Sequence, residues 1–316
     1  MKLHEFQDEF NDLISIVAQY KHLPESAVER DYYIVMLLQN LEKSEYADKC
    51  VFKGGTSLSK CHPHSIERFS EDIDLTFLGM ELSDKVCDKT IKKIEKVMTT
   101  GADTKKIDNE RSNRIKSMFV WFGDKSNRVK LEIGSSVRPD PYSQKTVKTY
   151  LQEFLEEHNG EDDILKHEHE AVTLNVLNIE RTFVDNLMSV KRHSICENIN
   201  ICENIKSKVR HIYDVTRLFA LSEIKAFLED KKELKRLIRI TKDTDSYYLE
   251  KRGISKEYDP TGLYDFDNWK HHLTSNVRLI YENSHKELLY TDEQQNFDDA
   301  IKAFEEINDI LKSIGE

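Results

Sequence analysis

Two aspartates, Asp72 and Asp74, stand two apart in the run DIDLTFL, where they alternate with the apolar Ile73, Leu75 and Phe77. A period of two predicts a strand with one apolar face, so both carboxylates project side by side from the other. Paired carboxylates on a strand suit a divalent cation that bridges them to triphosphate oxygens. Upstream, Gly54 and Gly55 allow consecutive amides to point at an anion, and Thr56 and Ser57 add hydroxyls at a predicted helix start. Lys53 and Lys60 bracket this turn. A P-loop places its first glycine farther from a Gly-Lys-Ser/Thr ending, so a Walker-type ATPase is excluded. In RVKLEIG, Val129, Leu131 and Ile133 face one way and Lys130 and Glu132 the other. Glu132 is thus the candidate third acid, placed in a two-metal site to activate an attacking hydroxyl. Taken singly, a glycine pair is a turn and an Asp-x-Asp a solvated strand face. Their close succession is what points to phosphate chemistry.

The elements that must position these residues follow from the periodicity around them. Phe6, Phe10, Leu13 and Val17 recur at helical spacing, and a second helix is predicted from Glu29 to Leu41 after the turn at Pro24. SMFVWFG and RVKLEIG, joined by the polar turn at Asp124 to Asn127, predict a hairpin. From about residue 144, beyond Pro139 and Pro141, the chain is charged and helix-periodic apart from a turn-rich insert near DPTGLYD. A boundary is therefore expected between a domain at 1–143 and a mainly helical one at 144–316. Phe297, Ala300, Ile301, Phe304, Ile307 and Leu311 form the apolar stripe of a last docking helix.

A chain of 316 residues exceeds one compact core, which also favours two domains. With 38% hydrophobic and 33% charged residues, it has the composition of an ordinary folded protein. Its 47 basic and 58 acidic residues give a net charge of -11, which argues against coating nucleic acid through global charge but leaves a local basic groove open. Cys50, Cys61, Cys87, Cys196 and Cys202 make an odd set without a CxxC pair, so reduced thiols are expected. The charged N-terminus lacks an apolar signal core and no window is long and apolar enough for a membrane span, so a cytoplasmic location is expected.

The runs FKGGTSLSK and RFSEDIDL resemble the signature of the AbiEii/AbiGii toxin-type nucleotidyltransferases, members of the DNA polymerase beta-like superfamily. ERDYYI at 29–34, RVKLEIG, ERTF at 180–183 and RHIYDVTRL at 210–218 extend the likeness over roughly residues 28–218. The resemblance implies an α+β, bilobed protein: a mixed-sheet nucleotidyltransferase lobe holding Mg²⁺ (or Mn²⁺) and a nucleoside triphosphate, and a helical C-terminal lobe that closes over them. It implies phosphate contacts for Gly55, Thr56 and Ser57, metal binding by Asp72 and Asp74, Glu132 as the third acid, and a further acidic position at Asp214. Taken alone, Asp214 reads as a helix-surface or cap aspartate. Family members commonly follow ERTF with an aromatic residue, Glu and Lys, where this chain has Val184, Asp185 and Asn186. An amide cannot neutralise triphosphate charge, which leaves Lys191, Arg181 or Lys206 to do so.

The implied activity is an EC 2.7.7-type transfer to an RNA acceptor such as the tRNA 3′ end, with a separately encoded antitoxin as partner. Transfer to a protein or small molecule would use the same site. Loss of turnover with Asn186 would instead leave a nucleotide-binding or interaction protein. A metal nuclease of the Asp, Glu-x-Lys kind wants lysine after glutamate, whereas Lys130 precedes Glu132. Other features have plain readings. KKELKRLIR gathers Lys231, Lys232, Lys235, Arg236 and Arg239 on a solvated helix face or an RNA-tracking one. The tandem ICENIN and ICENIK, with Cys196 and Cys202, is a small duplication. His62 and His64 flank Pro63 without metal-ligand spacing.

Overall fold

The computed structural model describes residues 2–167, 170–195, 208–252, 258–284, 289 and 295–316. It divides into two compact units, the first formed by Met1–Pro63 and Phe69–Leu177, the second by His64–Arg68 and Asn178–Glu316. The division at Leu177 lies well beyond the boundary expected at 143/144.

The first unit is built on a seven-stranded mixed sheet of order β3-β4-β5-β2-β1-β7-β6. Its strands are β1 (Cys50–Lys53), β2 (Asp72–Phe77), β3 (Asp103–Lys106), β4 (Ile115–Trp121), β5 (Val129–Gly134), β6 (Tyr142–Val147) and β7 (Val172–Leu177). Its helices are α1 (Gln7–Lys21), α2 (Glu25–Glu42), α3 (Gly54–Cys61), α4 (Asp84–Met98), α5 (Tyr150–Glu157) and α6 (Glu161–Lys166). The opening pair forms as its periodicity predicts. α1 stops at His22, which turns the chain left-handed at φ 55°, and α2 starts after Pro24. Val28, Leu37 and Leu38 of α2 are wholly buried, and the helix packs on α1, α4, α5 and β7.

β4 and β5 form the expected antiparallel hairpin, with the Asp124 carboxylate accepting the Ser126 amide at 2.9 Å in the turn. β6 and β7 pair antiparallel in a stretch expected to be helical. For β6 the reason is positional. β6 is an edge strand with the polar sequence YSQKTV, and β3, at the other edge, is DTKK and exposed throughout. Edge strands need no continuous apolar face and are guarded by charge, so they lack the alternation that reveals a half-buried strand.

The second unit is helical: α7 (Ile179–Ile195), α8 (Val209–Phe219), α9 (Ser222–Glu229), α10 (Lys231–Arg252), α11 (Phe266–Trp269), α12 (Ser275–Ser284) and α13 (Phe297–Ser313). α8 packs against α7, α12 and α13. The stripe on α13 is buried at Phe297, Ala300, Phe304, Ile307 and Leu311, with Ile301 at its margin. The Asn308 carboxamide, also buried, accepts the Phe266 amide at 2.9 Å and fixes α11 on α13. Among the described residues no helix is long and apolar enough to cross a membrane.

Candidate functional site

Register assembles the acidic face. β2 and β5 run parallel with Asp72 level with Lys130 and Asp74 level with Glu132, while antiparallel β1 sets Lys53 opposite Asp74. Residues level on adjacent strands point to the same side of a sheet. Asp72, Asp74, Glu132, Lys130 and Lys53 therefore share one face. The other face of β2 and β5 is core, since Ile73, Leu131 and Ile133 are fully buried and Leu75 and Val129 nearly so. This burial fixes the register, because a one-residue slip would turn the carboxylates inward.

The glycine turn is built around Asp74. Gly54 sits at φ +82°, and a Cβ there would strike the Asp74 carboxylate. Both observations require glycine. Thr56 and Ser57, expected to offer hydroxyls to phosphate, are buried and used elsewhere. Thr56 Oγ1 donates to the Asp72 carbonyl, and Ser57 Oγ donates to the Gly54 carbonyl at 2.8 Å. Thr56 braces the turn to β2, and Ser57 braces the turn on itself. The groups that α3 offers to an anion are the amides of its first turn, at Gly54 and Gly55, which by helix geometry lack an intrahelical acceptor.

Lys60 is not brought to this face. Its ammonium is buried 2.7 Å from Asp31 Oδ1 and 4.0 Å from the centre of the Tyr150 ring. Burial raises the Asp31 pKa and the Lys60 charge opposes that rise, while the Tyr150 amide donates to Asp31 Oδ2 at 2.7 Å. The ERDYYI run thus ties α2 to α3 and α5. Its neighbours reinforce this: Glu29 accepts from Asn127, and Arg30 pairs with Glu71.

Asp214 and Lys191 belong to the second unit. Asp214 is neither a surface nor a cap residue. It is buried and receives Arg68 Nε on Oδ1 at 2.7 Å and Arg68 Nη2 on Oδ2 at 2.8 Å. Lys191 is buried and donates to the Leu263 carbonyl. Burial first, then the charge of Lys242, lowers its pKa from 10.5 to about 8, against Asp259, Asp265 and Glu316. Arg181 is fully buried with its Nε 2.8 Å from Asp185 Oδ1, and Asn186 is half-buried on α7. Lys206, the tandem hexapeptides and their cysteines lie outside the described residues.

Sequence reasoning did not single out Arg68, although an arginine between the apolar Ile66 and Phe69 signals a buried acid partner. It also left Lys130 and Glu110 without a role. Lys130 Nζ lies 2.7 Å from Glu110 Oε2 and 4.0 Å from Glu132 Oε2, and Ser117 Oγ is 3.4 Å from Glu132 Oε2. Burial lowers the Lys130 pKa, but Glu110, Glu132 and Asp72 outweigh it and the net shift is upward. His62 is held neutral, its pKa pushed down to about 4 by burial and by Lys145, while His64 is exposed and 3.0 Å from Glu67. Cys50, Cys61 and Cys87 are free and buried. On α10, Lys231, Lys232, Lys235 and Arg239 are exposed while Leu234, Leu237 and Ile238 are core, an amphipathic face as expected.

The donors fit a magnesium ion in part. Among the described residues no three His, Cys, Asp or Glu side chains converge as a ready cage. Mg²⁺ is seldom caged in that way, being held by one or two carboxylates together with substrate phosphates. Asp72 and Asp74, hard oxygen donors on one face with the turn against them, supply that number.

A mixed sheet together with a helical unit is a fold shared with a solved nucleotidyltransferase toxin. The chain is similar to MenT4, a nucleotidyltransferase toxin from Mycobacterium tuberculosis H37Rv, over 95% of its own length and 98% of that chain, with a TM-score of 0.50 and 16% identity. The family described as "Nucleotidyl transferase AbiEii toxin, Type IV TA system" matches residues 36–307, and the chain belongs to it. The match runs through the C-terminal third, beyond the motifs legible in the sequence. Comparison with curated proteins returns no match.

Proposed function

We propose that this AbiEii-family protein transfers a nucleotidyl group from a nucleoside triphosphate to RNA, with the 3′ end of tRNA as acceptor and Mg²⁺ (or Mn²⁺) held by Asp72 and Asp74. The observation that carries the reading is the register that sets Asp74 level with Glu132 and beside the Gly54 turn. The amides at the start of α3 receive triphosphate oxygens, and Lys53, opposite Asp74, adds positive charge. The divalent ion, when bound, supplies charge neutralisation at the phosphates. The acceptor hydroxyl oxygen forms a bond to the α-phosphorus as the bond from that phosphorus to the bridging oxygen breaks. The hydroxyl proton passes to Glu132, and pyrophosphate leaves with the bond electrons. The exposed basic face of α10 supports an RNA acceptor. A separately encoded antitoxin would be the partner in a cell, and the cytoplasm, where triphosphates and RNA meet, the location.

One observation favours a second reading, nucleotide binding without turnover. Asn186 stands where the family resemblance implies a lysine, and Lys191, one of the candidate replacements, is engaged by the Leu263 carbonyl.

Incubation with Mg²⁺, each α-labelled triphosphate and total RNA, beside an Asp72→Asn, Asp74→Asn variant, tests both. Labelled RNA that disappears in the variant supports transfer. Label on protein points to a protein acceptor, shortened RNA to a nuclease, and bound nucleotide without product to the second reading.

A further inference from the structure

The acidic face holds a positive charge that the transfer reading does not use. Lys130 is level with Asp72 across β2 and β5, two residues before Glu132 on the same side of the strand. Its ammonium stands between two carboxylates, 2.7 Å from Glu110 Oε2 and 4.0 Å from Glu132 Oε2. The same Glu132 oxygen is 3.4 Å from Ser117 Oγ, and Ser117 is fully buried on β4, level with Glu132. Glu110 and Glu132 are each 37% exposed, so neither is forced into this arrangement by lack of room. A third acid serving a second divalent ion would have to turn toward Asp72 and Asp74. Instead, among the described residues, no three acids, histidines or cysteines converge on one point.

We propose that Lys130 is a positioning residue whose ammonium serves as the resident cation of Glu132 and takes the place of a second divalent ion. The chain then binds a single divalent ion, at Asp72 and Asp74. Glu132 stays oriented by Lys130 and Ser117, and remains the acceptor of the hydroxyl proton. A second divalent ion beside Glu132 would meet the ammonium at close range, where like charges repel strongly because the site is partly shielded from water. A neutral side chain at position 130 removes that repulsion and leaves Glu110 and Glu132 as hard oxygen donors for an ion.

The inference rests on the transfer reading for the role of Glu132, but its test does not need turnover. Chelator-treated full-length protein is titrated with Mn²⁺, and free ion is counted by its electron paramagnetic resonance signal. Wild type is expected to bind one Mn²⁺ per chain and Lys130→Met two. Lys130→Arg, which keeps the charge, and the double variant Lys130→Met, Glu132→Gln should each return to one. Two ions or none on wild type overturn the proposal, whether or not the variants fold, as does a folded Lys130→Met that still binds one. Failure of RNA labelling alongside this stoichiometry would refute the transfer reading and leave the metal count standing.

Discussion

Gly54→Ala tests the geometry of the turn most sharply, because the structure predicts two separable penalties. Gly54 lies at φ +82°, where an L-alanine costs about 1–2 kcal/mol. Its new Cβ would also strike the Asp74 carboxylate, and overpacking of that kind adds about 1–3 kcal/mol. The sum is about 2–5 kcal/mol against native Asp74. In an Asp74→Ala background the carboxylate is gone, and the Asp74 Cβ at 3.3 Å needs only a small shift. There Gly54→Ala should cost only the backbone share of about 1–2 kcal/mol. Urea unfolding of the four proteins, read by fluorescence of Trp121 on β4 with Trp269 replaced by Phe, gives the coupling. A coupling of about 1–3 kcal/mol is expected. Equal losses in the two backgrounds would refute the close packing of the turn against the Asp74 carboxylate.

Lys60→Met should strand Asp31 as a buried, uncompensated charge and destabilise the first unit by about 3–5 kcal/mol. Adding Asp31→Asn should recover most of that in the same urea assay. Arg68→Ala should lower the stability of the second unit by a similar amount, about 3–5 kcal/mol, because both Asp214 oxygens lose their donors. Trp269 fluorescence reports it. Lys191 has a folded pKa of about 8 against 10.5 for a solvent-exposed lysine in the unfolded chain, so between these values the unfolded chain binds more protons and stability rises with pH. The urea midpoint of wild type should climb relative to Lys191→Met from about pH 8 to 10.5, and a flat difference would contradict the shift.

What could be read from the sequence was whatever burial imposes on pattern. Ile73, Leu75 and Phe77 must enter the core, so Asp72 and Asp74 must leave it, and the same logic oriented Glu132. The hairpin and the α13 stripe follow the same rule. β3 and β6 stayed hidden because edge strands answer to solubility rather than to a core, and with β6 and β7 unseen the expected boundary fell short of Leu177. Side-chain partners were the least legible. Lys60 is four residues past Thr56 and resembles a phosphate ligand, yet a buried acid from α2 claims it. Thr56 and Ser57 have the chemistry of phosphate contacts, but their hydroxyls donate to the carbonyls of Asp72 and Gly54. Such choices depend on residues far apart in the chain, which spacing does not encode.

Nucleotidyl transfer breaks the triphosphate between its α-phosphorus and the bridging oxygen to the β-phosphorus. RNA is incubated in parallel with triphosphate labelled at the α-phosphorus and at the γ-phosphorus, using wild type and Asp74→Asn. Nucleotidyl transfer predicts RNA label from the α-position only, one pyrophosphate released for each nucleotide joined, and neither product from the variant. Label entering RNA from the γ-position, or transfer undiminished by Asp74→Asn, would contradict nucleotidyl transfer at Asp72 and Asp74.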